Sequence, residues 1–451
     1  MTKQTTKTTQ KKSPAKKAQP KKQVASKAAQ KKSVVAKKPQ TKKQAVKKAV
    51  VKKPQVKDGK KSHLMAISIV MVILILAILI GISCFKNSRH KTEKVFDGVL
   101  DVGTYTKIDY SYEDKLNQTR FDNWSGCTAI AKNIGDNTII GRNMDMTISD
   151  KAAYIYRTDI DGKYKTLNLA YTHRDYSPDY SDAVNGLDND FYNYLPFISD
   201  DVLNEKGLYV EVNMRLGEGS KFSCSGTNPG AEERVYMFSL PIFIGLNAAN
   251  IDEALDYVKT LDVYSMNGYW NYSFLIADAT GRYGVLEFSD NKYFWNEGQN
   301  AQANFYVTEE LSMKNTFRAG VGRYNYVREH IDEVQSKEDM FNLMNDIRYS
   351  QTYAADAKFD VRSEFVDSQA TCGYENDEPW TYDYAMNDPE GKLADCIENI
   401  HKTYPYSTRD ERKAAEVWES SFTEVVDIKN REIRVRFFED NNRIYTLKFD
   451  K

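Results

Sequence analysis

The stretch Leu64–Phe85 (LMAISIVMVILILAILIGISCF) contains no charged side chain. A helix rising about 1.5 Å per residue over that length spans the roughly 30 Å hydrocarbon core of a bilayer. It shows no polar stripe of the kind that marks a helix packed on a protein core. It is also too long, and too far from the amino terminus, for a cleaved signal peptide. The run is therefore expected to be a transmembrane helix. Residues 1–61, before it, hold 22 lysines against one acid, Asp58, whereas Lys86, Arg89, Lys91 and Lys94 follow more sparsely. The positive-inside rule then puts the amino terminus in the cytoplasm and the long remainder outside the cell membrane.

The lysine-rich segment has almost no counter-charge and no aromatic residue. It cannot bury enough apolar surface to offset the entropy of ordering and is expected to be disordered. Two readings of it stay open. It is an arm contacting anionic lipid or nucleic acid, each lysine adding about 1 kcal/mol near an anionic surface, or a solvated tail that sets membrane orientation. The whole-chain balance of 63 basic and 63 acidic residues hides this asymmetry, because the part beyond the tail is strongly acidic. The expected division is 1–63 tail, 64–85 transmembrane helix, 86–126 charged linker or propeptide, and 127–451 folded domain. The cysteines Cys84, Cys127, Cys224, Cys372 and Cys396 show no C-x-x-C spacing and are too few for a disulfide scaffold.

Beyond Cys127 short strand patterns dominate: Cys127–Asn133, Thr138–Arg142, Ala152–Tyr156, Tyr164–Thr172, Gly207–Asn213, Tyr272–Ala277 and Arg282–Phe288. Arg431–Phe438 and Arg443–Phe449 close the chain as a hairpin. Helical patterns cover Ile251–Thr260 after an Asn250 cap, Phe317–Val334, and Lys337–Tyr349 after Ser336. This order points to an α+β layered domain with largely antiparallel sheets.

There is no G-x-S-x-G elbow, H-E-x-x-H helix or Walker loop, and His173, His330 and His401 sit in no recognisable motif. One constellation carries chemistry. Cys127 opens a strand, and after the turn Ile134-Gly135-Asp136-Asn137 the returning strand brings Arg142 and Asp145 to the same neighbourhood. A thiol of ordinary pKa needs a base, which no histidine supplies here. If the Gly126–Cys127 bond were cut, the freed α-amine could take the thiol proton. Arg142 would stabilise the thiolate and Asp145 would hold the ammonium. A plain Arg142–Asp145 salt bridge is the alternative. The aromatic run Phe191–Phe197 either walls an acyl pocket or packs in the core.

The motifs Cys127-Thr128-Ala129-Ile130 and Gly141-Arg142-Asn143-Met144-Asp145 resemble the choloylglycine hydrolase, or linear amide C–N hydrolase, family. Asn204-Glu205-Lys206-Gly207-Leu208, Ala303-Asn304-Phe305-Tyr306, Gly322-Arg323-Tyr324 and Trp418-Glu419-Ser420-Ser421-Phe422 extend the resemblance in the same order over roughly 127–451. The resemblance implies an αββα sandwich of the N-terminal-nucleophile type. It also implies hydrolysis of a small N-acyl amide, such as a conjugated bile salt, penicillin V or an N-acyl amine, with no metal or organic cofactor. It makes Cys127 the nucleophile, Arg142 and Asp145 the organisers of its amine and thiolate, and Asn304 and Asn213 the oxyanion donors. Arg323 would add positive potential beside Cys127. Because Cys127 lies deep in the chain, autocleavage before it would be obligatory. An acyltransferase of the same fold and a non-catalytic surface protein remain as alternatives.

Overall fold

The computed structural model describes residues 71–72, 92–96, 98–116, 126–147, 151–173, 190–215, 224–265, 271–314, 320–349, 418–438 and 443–449, with a few positions between 374 and 398. The chain divides into two units, Met1–Gly81 and Ile82–Lys451. Of the first, only Met71 and Val72 are described, both helical and exposed. The lysine-rich tail and the rest of the expected transmembrane run lie outside the described residues. Among the described residues no helix is long and apolar enough to cross a membrane.

The second unit begins with β1 (Glu93–Phe96), β2 (Val99–Tyr105) and the short helix α1 (Ser111–Leu116). A hairpin follows, β3 (Gly126–Ile134) and β4 (Asn137–Thr147), turning at Gly135 with φ +62°. Next come β5 (Lys151–Thr158), β6 (Thr166–His173), the single turn α2 (Phe191–Tyr194), β7 (Asp201–Asn204) and β8 (Tyr209–Arg215). The short strands β9 (Arg234–Tyr236) and β10 (Asp262–Tyr264) pair in parallel around α3 (Leu240–Asn247) and α4 (Ile251–Thr260). A meander of β11 (Asn271–Ala277), β12 (Tyr283–Ser289) and β13 (Lys292–Glu297) leads to β14 (Ala301–Gln302), α5 (Val321–His330) and α6 (Lys337–Asp346). β15 (Tyr374–Glu375) and β16 (Glu378–Pro379) form a minimal pair. The chain ends with β17 (Trp418–Asp427), β18 (Glu432–Phe437) and β19 (Ile444–Leu447).

Two large sheets result. One has nine strands in the order β1-β2-β5-β6-β7-β8-β11-β12-β13, and the other six in the order β14-β3-β4-β17-β18-β19. Within them only β2 and β5 run parallel. The β12–β13 turn places Asp290 and Asn291 at φ 51° and 61°, a left-handed pair whose twist suits a tight hairpin.

Alternation along each strand sorts the side chains into three cores. One face of the nine-stranded sheet turns Tyr154, Tyr156, Val210, Val212 and Met214 toward Phe191 of α2, Leu240 and Ile244 of α3 and Ala254 of α4. Its other face, with Ile155, Leu169, Tyr209 and Leu275, meets Cys127, Met144, Phe422 and Val435 of the six-stranded sheet. That sheet's far face packs Ile130, Ile139 and Val425 against Val327 of α5 and Met340, Phe341 and Met344 of α6. Burying a side chain such as Phe341 contributes roughly 1.5–3 kcal/mol. The layers therefore run helix, sheet, sheet, helix in a mixed α+β fold.

Helix caps follow their residues. Asn250 accepts from the Glu253 N–H at 3.0 Å and Ser336 from the Asp339 N–H at 3.2 Å. The structure adds to the sequence reading at three places. The stretch 86–126, expected as a charged linker or propeptide, contributes β1, β2 and α1 in its described part, because Val99, Leu100, Val102 and Leu116 are apolar and buried. α3 showed no amphipathic period because both its faces are buried. Phe191, Leu195 and Phe197 belong to the core on the helix side of the nine-stranded sheet, whereas Cys127 belongs to the core between the sheets. The aromatic run is core packing.

Candidate active site

The strand period of two organises the site. The described part of β4 extends to Thr147, five residues past its expected end at Arg142. Residues three apart on a strand face opposite ways. Ile140, Arg142, Met144 and Met146 point between the sheets, whereas Ile139, Gly141, Asn143 and Asp145 point to the helices. On β3, Cys127, Ala129 and Ala131 share the inner face with Arg142, and Thr128 and Ile130 share the outer face with Asp145.

The alternative reading, a plain Arg142–Asp145 salt bridge, is thereby excluded. Arg142, fully buried, is ion-paired to Asp201 of β7 and, through Nε at 2.9 Å, to Glu211 of β8. Its Nη2 donates to the Val212 carbonyl at 2.9 Å and lies 3.4 Å from the Cys127 sulfur. Asp145 is ion-paired instead to Arg323 of α5, which also donates to the Thr128 hydroxyl at 2.7 Å. Arg323, expected to add positive potential beside Cys127, thus meets Asp145 and Thr128 on the outer face.

Cys127 is enclosed, with its sulfur 3.5 Å from that of Met144. Burial pushes its thiol up. Arg142 pulls the other way, while Glu211, Asp145 and Asp200 push it further up. The resting thiol is neutral and needs a proton acceptor. Its backbone N–H donates to Asn304 Oδ1 at 3.2 Å, and Asn304 Nδ2 donates to the Met214 carbonyl at 2.7 Å. Gly126 pairs with Asp145 across the hairpin, and a Cβ on Gly126 would lie 3.5 Å from the Asp145 Oδ2 and 3.6 Å from Asn304 Oδ1. The carboxylate and the amide oxygen thus flank the Gly126–Cys127 peptide. Asn213 lies on β8 between Val212, whose carbonyl binds Arg142, and Met214, whose carbonyl binds Asn304. Its side-chain nitrogen and oxygen are both buried without a hydrogen-bond partner among the described residues, as is the hydroxyl of Ser273, its cross-strand neighbour on β11.

Sequence reasoning missed the acids that surround Arg142. Asp200, Asp201, Glu211 and Glu424 are all fully buried, with Tyr209 among them. The single Tyr209 hydroxyl lies 2.8 Å from Asp201 Oδ1 and 2.5 Å from Glu424 Oε1. One proton cannot serve two ionised carboxylates, so one of these acids carries a proton of its own. Burial pushes Asp201 and Glu424 up and raises Glu211 to about 7, against the pull of Arg142. The alternation Tyr209-Val210-Glu211-Val212-Asn213-Met214-Arg215 was the available signal, since it aligns Tyr209, Glu211, Asn213 and Arg215 on one strand face. Among the described residues no group of three or more His, Cys, Asp or Glu side chains is arranged to hold a metal ion.

No family model and no curated protein matches the chain. Solved structures similar to it include a variant of a conjugated bile acid hydrolase from Clostridium perfringens, with 12% identity over 72% of this chain and 93% of that one and a TM-score of 0.41. A second variant of that hydrolase shows 13% identity over 72% and 92%, with a TM-score of 0.37. A penicillin V acylase from Agrobacterium tumefaciens shows 12% identity over 72% and 87%, with a TM-score of 0.37.

Proposed function

We propose that this protein is a cysteine N-terminal-nucleophile amidase of the linear amide C–N hydrolase type. The observation that carries the reading is the separate grip on the two reactive atoms of Cys127. Arg142 lies against its sulfur, and Asn304 holds its nitrogen with the Asp145 carboxylate alongside. That division suits a residue whose own amine serves as base for its thiol.

Activation begins when the Cys127 thiol attacks the Gly126 carbonyl. The N-to-S shift breaks the peptide C–N bond and leaves a thioester and a free α-amine. Water then hydrolyses the thioester, releasing the Gly126 carboxylate and restoring the thiol. In turnover the α-amine takes the thiol proton, and the thiolate adds to the substrate amide carbonyl. Asn304 and Asn213 donate to the resulting oxyanion, a role worth about 3–4 kcal/mol per donor. Collapse expels the amine, protonated by the Cys127 ammonium. Water resolves the acyl-thioester to a carboxylic acid. The acyl group is apolar and the substrate a small N-acyl amide.

The uncharged run Leu64–Phe85 anchors the protein in the cell membrane with the amino terminus inside. The lysine density before the run supports this orientation. After cleavage the amino-terminal piece stays bound, because β2 is hydrogen-bonded to β5 and buries Val99, Leu100 and Val102.

Intact-mass and amino-terminal analysis of membrane-extracted protein test the reading. The expected result is a chain beginning at Cys127 that co-elutes with the upstream piece and hydrolyses members of an N-acyl amide panel. Cys127→Ala is expected to remain uncleaved and inactive. Active protein with an intact Gly126–Cys127 bond would overturn the mechanism.

A further inference from the structure

We propose that Ser420 is the positioning residue for Asp145, presented to it by a β-bulge and locked by the backbone of Tyr349. The role rests on the reading of Cys127 as an amino-terminal nucleophile. β17 pairs with β4 throughout, but its register shifts so that Ser420 opposes Asp145 and Phe422 opposes Met144, with Ser421 as the extra residue. Beyond the bulge Phe422 and Val426 face between the sheets, while Thr423 and Val425 face the helices. Strict alternation would turn Ser420 inward with Phe422. The extra residue reverses the parity and puts Ser420 on Asp145's side.

Once there, the hydroxyl has one orientation. Ser420 Oγ accepts from the Tyr349 N–H at 2.9 Å, and the Ser420 N–H donates to the Tyr349 carbonyl at 2.8 Å. The hydroxyl proton is left for Asp145 Oδ1, at 2.5 Å. Arg323 binds Oδ2, and its guanidinium lies 5.5 Å from the Tyr349 ring centre. Asp145, Arg323, Tyr349 and Ser420 thus close a ring that fixes the carboxylate beside Gly126. The charged and titratable groups around Asp145 among the described residues include Arg323 from α5, Arg142 on its own strand, Cys127 on β3 and Tyr349 beyond α6. Burial pushes the Asp145 carboxyl up, and Arg323 and the Ser420 hydroxyl hold it down. A carboxyl that loses the hydroxyl takes up a proton at higher pH and ceases to hold the Cys127 ammonium.

The experiment compares wild type, Ser420→Ala, Ser420→Thr and Thr423→Ala in the full chain. Thr423→Ala removes a buried hydrogen bond to Asn143 on the same strand face without touching Asp145. Three quantities are followed against pH: self-cleavage, amide turnover, and reaction of Cys127 with the small reagent methyl methanethiosulfonate. Ser420→Ala is expected to shift the acidic limb of each profile upward by about one unit and to lower kcat about tenfold at constant KM. Ser420→Thr restores both, and Thr423→Ala lowers thermal stability without moving the limb. The proposal is overturned if Ser420→Ala keeps the wild-type limb, or if Thr423→Ala moves it equally. A wild-type chain that never cleaves would defeat the nucleophile reading. In that chain no ammonium forms and the Asp145 charge only pushes the Cys127 thiol up, so Ser420→Ala is then expected to raise thiol reactivity where wild-type Asp145 is ionised, and an unchanged profile overturns the role.

Discussion

The inner and outer faces of β4 bury charge by different means. On the inner face one guanidinium, Arg142, sits among the carboxyls of Asp200, Asp201, Glu211 and Glu424. Cation and anion cannot balance there, and protons make up the difference, as the shared Tyr209 hydroxyl shows. On the outer face one carboxylate, Asp145, meets one guanidinium, Arg323, and one hydroxyl, Ser420, under an apolar helix layer. The contrast teaches that the charge beside the thiol depends on bound protons, whereas the charge beside the Gly126 peptide is held by direct partners.

The largest effect that would break this contrast is expected from Arg142→Leu. Removing the cation strands buried carboxylates, a loss of about 3–5 kcal/mol. Because those acids can be neutralised by protonation, the loss should be greatest near pH 8 and shrink toward pH 5. Urea denaturation at both pH values checks it, and a pH-independent loss would refute proton sharing on the inner face. A smaller effect is expected from Gly141→Ala on the outer face. A Cβ there would lie 2.6 Å from the Met340 sulfur and 2.7 Å from Met344 Cγ, so these methionine side chains must move, at about 1–3 kcal/mol. Its cost should not vary with pH.

The last effect concerns Glu211. Its carboxyl titrates near 7 in the fold against an ordinary 4.5, so the folded chain keeps a proton that the unfolded chain has released. Stability should fall as pH rises from about 4.5 to about 7 and then level. Glu211→Gln should flatten that part of a thermal-denaturation curve. Glu113, raised to about 7 by burial in α1, contributes with the same sign and should be removed separately as Glu113→Gln.

Local patterns made much of the fold legible. The Asn250 and Ser336 caps, the Gly135 turn and the alternation along β8 and β11 each place an element from a few neighbouring residues. α3 and β2 were hidden for the opposite reason. Both are buried by distant partners, so neither shows its period to a local reading. At the candidate site Cys127, Arg142, Asp145, Asn304 and Arg323 were named from motifs, and all lie around the β3–β4 hairpin. Their pairing was not legible. Arg142 finds its anions on β7 and β8, and Asp145 its cation on α5, far along the chain.

Taken alone, the amino-acid order determined the asymmetry of charge, the uncharged run and the strand-rich body, because these depend on composition and on a period of two. Tertiary structure alone decided which ion each residue meets, that four acids crowd one arginine, and that a bulge at Ser421 turns Ser420 toward Asp145. Such pairings depend on which remote strands lie side by side, and no local pattern encodes that distance.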